Sequence, residues 1–218
     1  MPLKTSIYRH WFPIVAVLSF AMAATAGCSS GGVAAGAGAA AGSAAMEDRG
    51  FGTAVDDAVI QTKINALWLE HGANLFTKIF SEVHEGRVLL TGAVEKPQDR
   101  IDAVKIAWQV DGINEMINEI EVTDKSDLLD SARDIWIVTQ LRFKLTFDKR
   151  IKAINYSLDA VNGIVFVIGI ARTEAELKRV IDHARSLNYV RRVTPYVRLK
   201  SDPIPEFRRP AATVKPRK

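Results

Sequence analysis

The chain has 218 residues, 48% of them hydrophobic and 25% charged, with a net charge of +4, four histidines and one cysteine. That length and balance suit one or two small globular domains and exclude a chain that is disordered throughout. A single cysteine excludes an intrachain disulfide framework, and the scattered His10, His71, His84 and His183 lack partners at metal-ligand spacing.

The first segment, MPLKTSIYRHWFPIVAVLSFAMAATAGCSS, places Lys4 and Arg9 ahead of an apolar run and then small residues. It reads as a secretory signal over residues 1–27. The run falls short of the roughly 20 apolar residues of a comfortable membrane span, and no later stretch approaches that length. Thr25-Ala26-Gly27-Cys28 resembles a lipobox, in which cleavage before Cys28 lets lipid be attached to its sulfur. The alternative is Ala24-Thr25-Ala26 as a plain A-x-A site releasing a soluble periplasmic protein; Thr25 departs from the usual Leu or Val of a lipobox. A lone cysteine at the new N-terminus favours lipidation, and Ser29 after it resembles the signal for export to the outer membrane. Residues 28–52 are then a Gly/Ala-rich tether whose reach is about 27 Å.

An internal repeat organises the middle of the chain. A shift of 77 places, without gaps, sets VDDAVIQTKINALW beside ARDIWIVTQLRFKL, HEGRVLLTGAV beside VNGIVFVIGIA, and VDGINEMINEIEV beside LNYVRRVTPYVRL. Asp57 meets Asp134, Ile64 meets Leu141, Gly86 meets Gly163 and Gly92 meets Gly169. Two modules follow, residues 53–123 and 132–200, joined by the linker 124–131 and followed by a Pro-rich basic tail, 201–218, that reads as disordered. Each module opens with an apolar stripe at helical spacing, such as Ile60, Ile64 and Leu67. Two strands joined at Glu85-Gly86 or Asn162-Gly163 come next, then a second helix and a last strand. The fold class is α+β, two tandem αββαβ modules, each with two helices on one face of a three-stranded sheet. Gly86, Gly92, Gly163 and Gly169 stand at strand turns and not before a helix, which argues against a phosphate-cradling loop. No G-x-S-x-G motif occurs, so the chain reads as a non-enzyme without a cofactor.

Charge separates the copies. The first module has 6 Lys and Arg against 12 Asp and Glu, a net of −6; the second has 14 against 6, a net of +8; the tail adds +3. A basic module beside an acidic one is expected to orient on a negative surface.

The stretch DIWIVTQLRFKLTF, residues 134–147, has more apolar sides than a core-facing helix needs. Ile137, Val138, Leu141 and Leu145 share one face of the helical wheel. Trp136, Phe143 and Phe147 fall near the opposite face, flanked by Arg133, Arg142 and Lys144. The matching positions in the first module are Val59, Ala66 and Glu70, so the fold itself does not demand the aromatics. Rings rimmed by cations are the composition of a segment lying at a membrane interface. Two blander readings stand beside it: the aromatics pack against the first module or against Leu128 and Leu129, and Lys178, Arg179, Arg185, Arg191 and Arg192 form a solvated face.

The helix, GRVLLTGAV, and the helix ending VDGINEMINEIEV resemble the BON domain, and the second copy with NGIVFVIGIA does so too. Tyr189 departs from the pattern, standing at the turn into the last strand where Gly112 and the family have glycine. Signal, lipobox, tether and two copies together resemble the dual-BON outer-membrane lipoproteins. The resemblance implies a lipid-anchored protein facing the periplasm that binds anionic phospholipid through the first helix of its second module and supports envelope integrity, without catalysis. The expected site is Trp136, Phe143, Phe147, Arg133, Arg142 and Lys144, and the expected partner is an anionic membrane containing phosphatidylglycerol or cardiolipin. Proteins of outer-membrane biogenesis or division are further candidate partners, an adaptor role being the alternative function. The secretion signal disfavours nucleic acid, and nothing points to a small-molecule substrate.

Overall fold

A computed structural model of the chain describes residues 46–123 and 128–204. The signal segment, Cys28, most of the tether and nearly all of the tail lie outside the described residues. The first module runs α1 (Phe51–His71), α2 (Ala73–Lys78), β1 (Ile79–His84), β2 (Arg87–Val94), α3 (Pro97–Ala107), β3 (Glu115–Asn118) and β4 (Glu121–Val122). The second runs α4 (Leu128–Phe147), a 3-10 turn (Ala153–Asn155), β5 (Tyr156–Val161), β6 (Ile164–Ala171), α5 (Glu174–Arg185) and β7 (Arg192–Leu199). The αββαβ order holds in both modules, with a short α2 added in the first and its last strand broken into β3 and β4. Helix α4 begins at Leu128, inside the stretch assigned to the linker. No helix of the described residues is long and apolar enough to cross a membrane.

In each sheet the second strand is central, antiparallel to the strand before it and parallel to the last one. The hairpins turn through Glu85-Gly86 and Asn162-Gly163, with all four φ angles between 50° and 75°. Two successive left-handed residues match the twist of a two-residue hairpin, which is why Gly or Asn recurs there. Gly92 and Gly169 differ from the turn reading, for they lie within β2 and β6 opposite Ile79 and Tyr156. A Cβ at Gly92 would come within 2.1 Å of the Lys78 carbonyl oxygen, and one at Gly169 within 2.0 Å of the Asn155 carbonyl oxygen, so only glycine lets the incoming chain approach.

The aligned aspartates explain one another. Asp57 Oδ2 and Oδ1 accept the backbone N–H groups of Glu85 and Gly86, both at 2.8 Å. Asp134 accepts those of Asn162 and Gly163 at 2.7 and 2.8 Å. Each first helix thereby holds its own hairpin turn, satisfying two donors that would otherwise be orphaned. Asp57 additionally receives Arg49 at 2.6 Å.

Each module has its own core between helices and sheet. Ile60, Ile64 and Trp68 of α1 pack on Ile79, Val88 and Leu90, and the Trp68 Nε1 donates to the Ala103 carbonyl at 3.0 Å. Ile137, Leu141 and Leu145 of α4 pack on Val165, Val167, Val180 and Ala184. A third cluster joins the two modules: Leu89 of β2 meets Val161, Phe166 and Ile168 of β5 and β6, all buried. The faces of the sheets turned away from the helices therefore pack on each other. The chain is expected to unfold as a single unit. Calorimetry of the mature chain should give one transition with equal calorimetric and van't Hoff enthalpies, and two resolved transitions would contradict the shared core.

Opposite charges meet across this contact. Arg198 donates from Nε and Nη2 to both carboxylate oxygens of Glu85 at 2.8 and 2.6 Å, with both side chains nearly buried. Tyr196 donates to Glu119, and Asn162 Nδ2 donates to Glu121 at 2.6 Å. Residues 47–49, assigned by composition to the tether, are also tied down. Asp48 accepts from Lys200 at 2.6 Å and Asn155 at 2.7 Å and pairs with Lys152 at 3.1 Å, while Arg49 donates to the Val83 carbonyl. Part of the charge division between modules is thus spent in holding them together.

The contact also buries titratable groups. His84 sits 3.2 Å from the Ser157 hydroxyl, its Nδ1 has no hydrogen-bond partner among the described residues, and burial, then the charges of Arg49 and Arg87, pushes its pKa from 6.5 down to about 3. Burial raises Glu82 and Asp159 above their ordinary range. Between pH 6.5 and about 3 the unfolded chain takes up a proton that native His84 refuses, so stability present above this window is lost as pH falls through it. The raised carboxylates act in the opposite sense, gaining stability on acidification. His84→Gln should lose less stability than wild type across that window in urea titrations; identical losses would contradict the assignment.

Candidate functional site

Helix α4 covers its sheet with Ile137, Leu141 and Leu145, which are fully buried, and this fixes what the rest of the helix presents. At 3.6 residues per turn the positions opposite that stripe must face outward. Trp136 is 38% exposed, Phe143 60% and Phe147 69%. Phe143 and Phe147 lie 4.5 Å apart between ring centroids, and with Trp136 two turns earlier on the same side they form an aromatic ridge along the outer face. It lies apart from the buried cluster that joins the modules, and Leu129 is itself 62% exposed. The reading in which the ridge packs against the first module does not describe these side chains.

The expected cations are not all beside the ridge. Arg133 pairs with Asp130 at 2.8 Å, and its guanidinium carbon lies 5.5 Å from the centroid of the Tyr189 ring. Lys144 donates to the Ser186 hydroxyl at 2.9 Å on the same flank. Arg142 lies on the other flank, where its charge reaches Glu82 of the first module. Below the ridge, Asp148 receives His183 at 2.9 Å and Arg150 at 3.1 Å. These bonds, the His183 bond first, hold its carboxyl well below the usual range. Of the basic residues read as a solvated face, Lys178 pairs with Asp182 along its own helix at 2.7 Å. Arg191 and Arg192 instead line a cleft of about 830 Å³ with Glu121, Asp130, Arg133, Asp134 and Tyr189.

Three exposed residues around α4 were not assigned to the site from the sequence. Ile135 is 69% exposed, and it lines a groove together with Phe80 of β1, itself 54% exposed. Tyr189 is the third. Its φ of 69° falls in the same left-handed region as the 95° of Gly112, so the turn into the last strand is the same in both modules despite the departure in sequence. Arg191 N–H bonds the Gly163 carbonyl just as Asn114 N–H bonds that of Gly86, each at 2.7 Å. A tyrosine there costs about 1 to 2 kcal/mol relative to glycine. What accompanies that cost is an edge-on stack with Trp136, 5.8 Å between centroids at 81°, and the Arg133 contact. Aromatic and cation–π contacts of this kind recover about 0.5 to 1.5 kcal/mol each. A non-glycine residue at a position the repeat assigns to glycine was the available signal.

The site offers rings, aliphatic side chains and guanidinium groups, which suits adsorption and not bond-making. Among the described residues there is no cluster of three His, Cys, Asp or Glu side chains arranged to hold a metal.

The BON domain family matches residues 56–124 and 133–201. The chain is 41% identical over 147 residues to "Uncharacterized protein in gshII 5'region" of Anaplasma centrale, covering 67% of this chain and 96% of that one. It is 30% identical over 150 residues to "Outer membrane lipoprotein DolP" of Haemophilus influenzae, covering 68% and 77%. It is 30% identical over 156 residues to "21 kDa hemolysin" of Actinobacillus pleuropneumoniae, covering 70% and 80%.

Proposed function

The chain belongs to the BON domain family, with two BON domains in tandem, and from that premise we propose that it is an outer-membrane lipoprotein facing the periplasm, which binds anionic phospholipid through α4 of its second module. Its role is binding in support of envelope integrity, not catalysis. Likeness to an outer membrane lipoprotein supports the location, and Cys28 as the lipid-bearing residue supplies the anchor.

One observation carries the reading: the ridge of Trp136, Phe143 and Phe147 stands exposed on α4, while Val59, Ala66 and Glu70 occupy the same places on α1. Both helices bury the same inner stripe, so the ridge serves something other than folding. Rings of this size enter the boundary between headgroups and acyl chains, and nearby cations add about 1 kcal/mol each on an anionic surface. The tether raises the local concentration of membrane, so a weak contact suffices.

The test is cosedimentation of the mature chain, carrying Cys28→Ser so that no lipid is attached, with vesicles of phosphatidylglycerol or of phosphatidylcholine across a range of salt. Binding to the anionic vesicles that weakens with salt supports the reading. Equal binding to both, or binding to neither, sinks it, and an envelope protein retained after loss of the ridge would favour an adaptor.

A further inference from the structure

The cleft beside the ridge has a composition that neither the fold nor the aromatic contact requires. It opens between the start of α4, the Asn162-Gly163 turn and the strand entry at Tyr189 to Arg192. The first module builds the same place from the same backbone with different side chains. Arg133, Tyr189, Arg191 and Arg192 correspond to Asp56, Gly112, Asn114 and Glu115. Two carboxylates have become arginines, a glycine has become a strained tyrosine, and an asparagine that bonds the Glu85 carbonyl at 3.0 Å has become a third arginine.

We propose that this cleft holds a phosphate group, and that at the membrane surface it is the phosphate of an anionic lipid headgroup. The inference rests on the reading of α4 as a membrane contact and adds a second, polar half to it. Among the described residues Arg191 and Arg192 form no ion pair, and the only side-chain hydrogen bond of Arg191 there is a 3.4 Å contact to the Asn162 carbonyl. Two guanidinium groups without a carboxylate partner, adjacent in sequence, are fork-shaped donors suited to phosphate oxygens. The carboxylates sharing the cleft are already engaged: Asp134 by two backbone N–H groups, Glu121 by Asn162, and Asp130 by Arg133. Tyr189 touches Trp136 on one side and Arg133 on the other, placing the cationic cleft at the edge of the ridge. A lipid whose acyl chains lie along the ridge would bring its phosphate to that edge.

The experiment uses the mature Cys28→Ser chain in two arms. In the first, phosphatidylglycerol vesicles are titrated against wild type, against Arg191→Gln with Arg192→Gln, and against a charge control, Lys178→Gln with Arg185→Gln. The cleft variant should lose at least about tenfold in affinity and the control much less. Tyr189→Gly should also weaken binding with little change in stability, since relief of backbone strain offsets the lost Trp136 and Arg133 contacts. Equal losses in cleft variant and control would overturn the lipid headgroup as the ligand of the cleft, because net charge would then account for both. In the second arm, inorganic phosphate is titrated while the Gly163 and Arg191 amide resonances are followed. Shifts there, abolished in the cleft variant, support a phosphate site even if wild type ignores vesicles, an outcome that sinks the membrane reading alone and leaves free phosphate as the ligand. No shifts together with no difference between the vesicle titrations of cleft variant and control would overturn the cleft.

Discussion

Replacing Trp136, Phe143 and Phe147 together by alanine lowers binding to phosphatidylglycerol vesicles by about a hundredfold or more, while global stability changes by about 1 kcal/mol. The asymmetry follows from where the rings are. Phe143 and Phe147 are mostly in water and Trp136 more than a third so, hence the folded chain loses little when they go. On a membrane the same rings leave water, and full burial of one such side chain is worth about 1.5 to 3 kcal/mol. Even half of that from each ring sums to about 3 kcal/mol, which is roughly a hundredfold in affinity. Denaturant titration beside vesicle titration checks both halves. A variant that binds normally removes the ridge from the account, and one that unfolds shows it to be part of the core.

Asp57→Ala is expected to cost about 3 kcal/mol of stability, although the side chain contributes nothing to the apolar core. It strips the acceptor from two N–H groups at the buried Glu85-Gly86 turn and removes the ion-pair partner of Arg49. Each buried donor left unsatisfied costs about 1 to 3 kcal/mol, and breaking a buried pair adds to it. Asp134→Ala removes the same two backbone bonds but no ion pair, and burial already pushes the Asp134 carboxyl above its ordinary range, so its loss should be smaller. Urea unfolding of the two variants ranks them. A reversed order would mean that the Arg49 pair contributes nothing.

Much of the fold was legible because the chain states it twice. A single 77-residue shift fixed the modules, and apolar spacing with Glu-Gly and Asn-Gly turns fixed the order of elements. The packing of one sheet on the other was not read, although GIVFVIGIA carried a trace of it. That strand is apolar at every second position on both faces, as a strand covered on both sides must be, whereas RVLLTGAV has Thr91 where the second face meets Asp159. Naming the partner of that second face requires a contact distant in sequence, which periodicity does not encode. The same limit applies to Glu85 with Arg198, 113 residues apart.

At the candidate site the sequence yielded the ridge but not its surroundings. Comparing α4 with α1 was enough to show that Trp136, Phe143 and Phe147 are additions to the module. Placing Tyr189 against Trp136 needed the three-dimensional path of the strand entry. Tyr189 was visible only as a break in a glycine pattern, and the structure turns that break into a reason: a left-handed backbone position held so that a ring can join the site.

The most direct measurement is depth-dependent quenching of Trp136 fluorescence. With Trp108→Phe in the Cys28→Ser chain, the tryptophans left among the described residues are Trp68, fully buried, and Trp136. Phosphatidylglycerol vesicles carrying bromine near the top of the acyl chains should quench Trp136 strongly, and vesicles brominated near the chain ends should quench it weakly. Emission that no brominated lipid changes, while the protein sediments with the vesicles, would show that the ridge stays in water and contradict the claim that α4 meets the membrane.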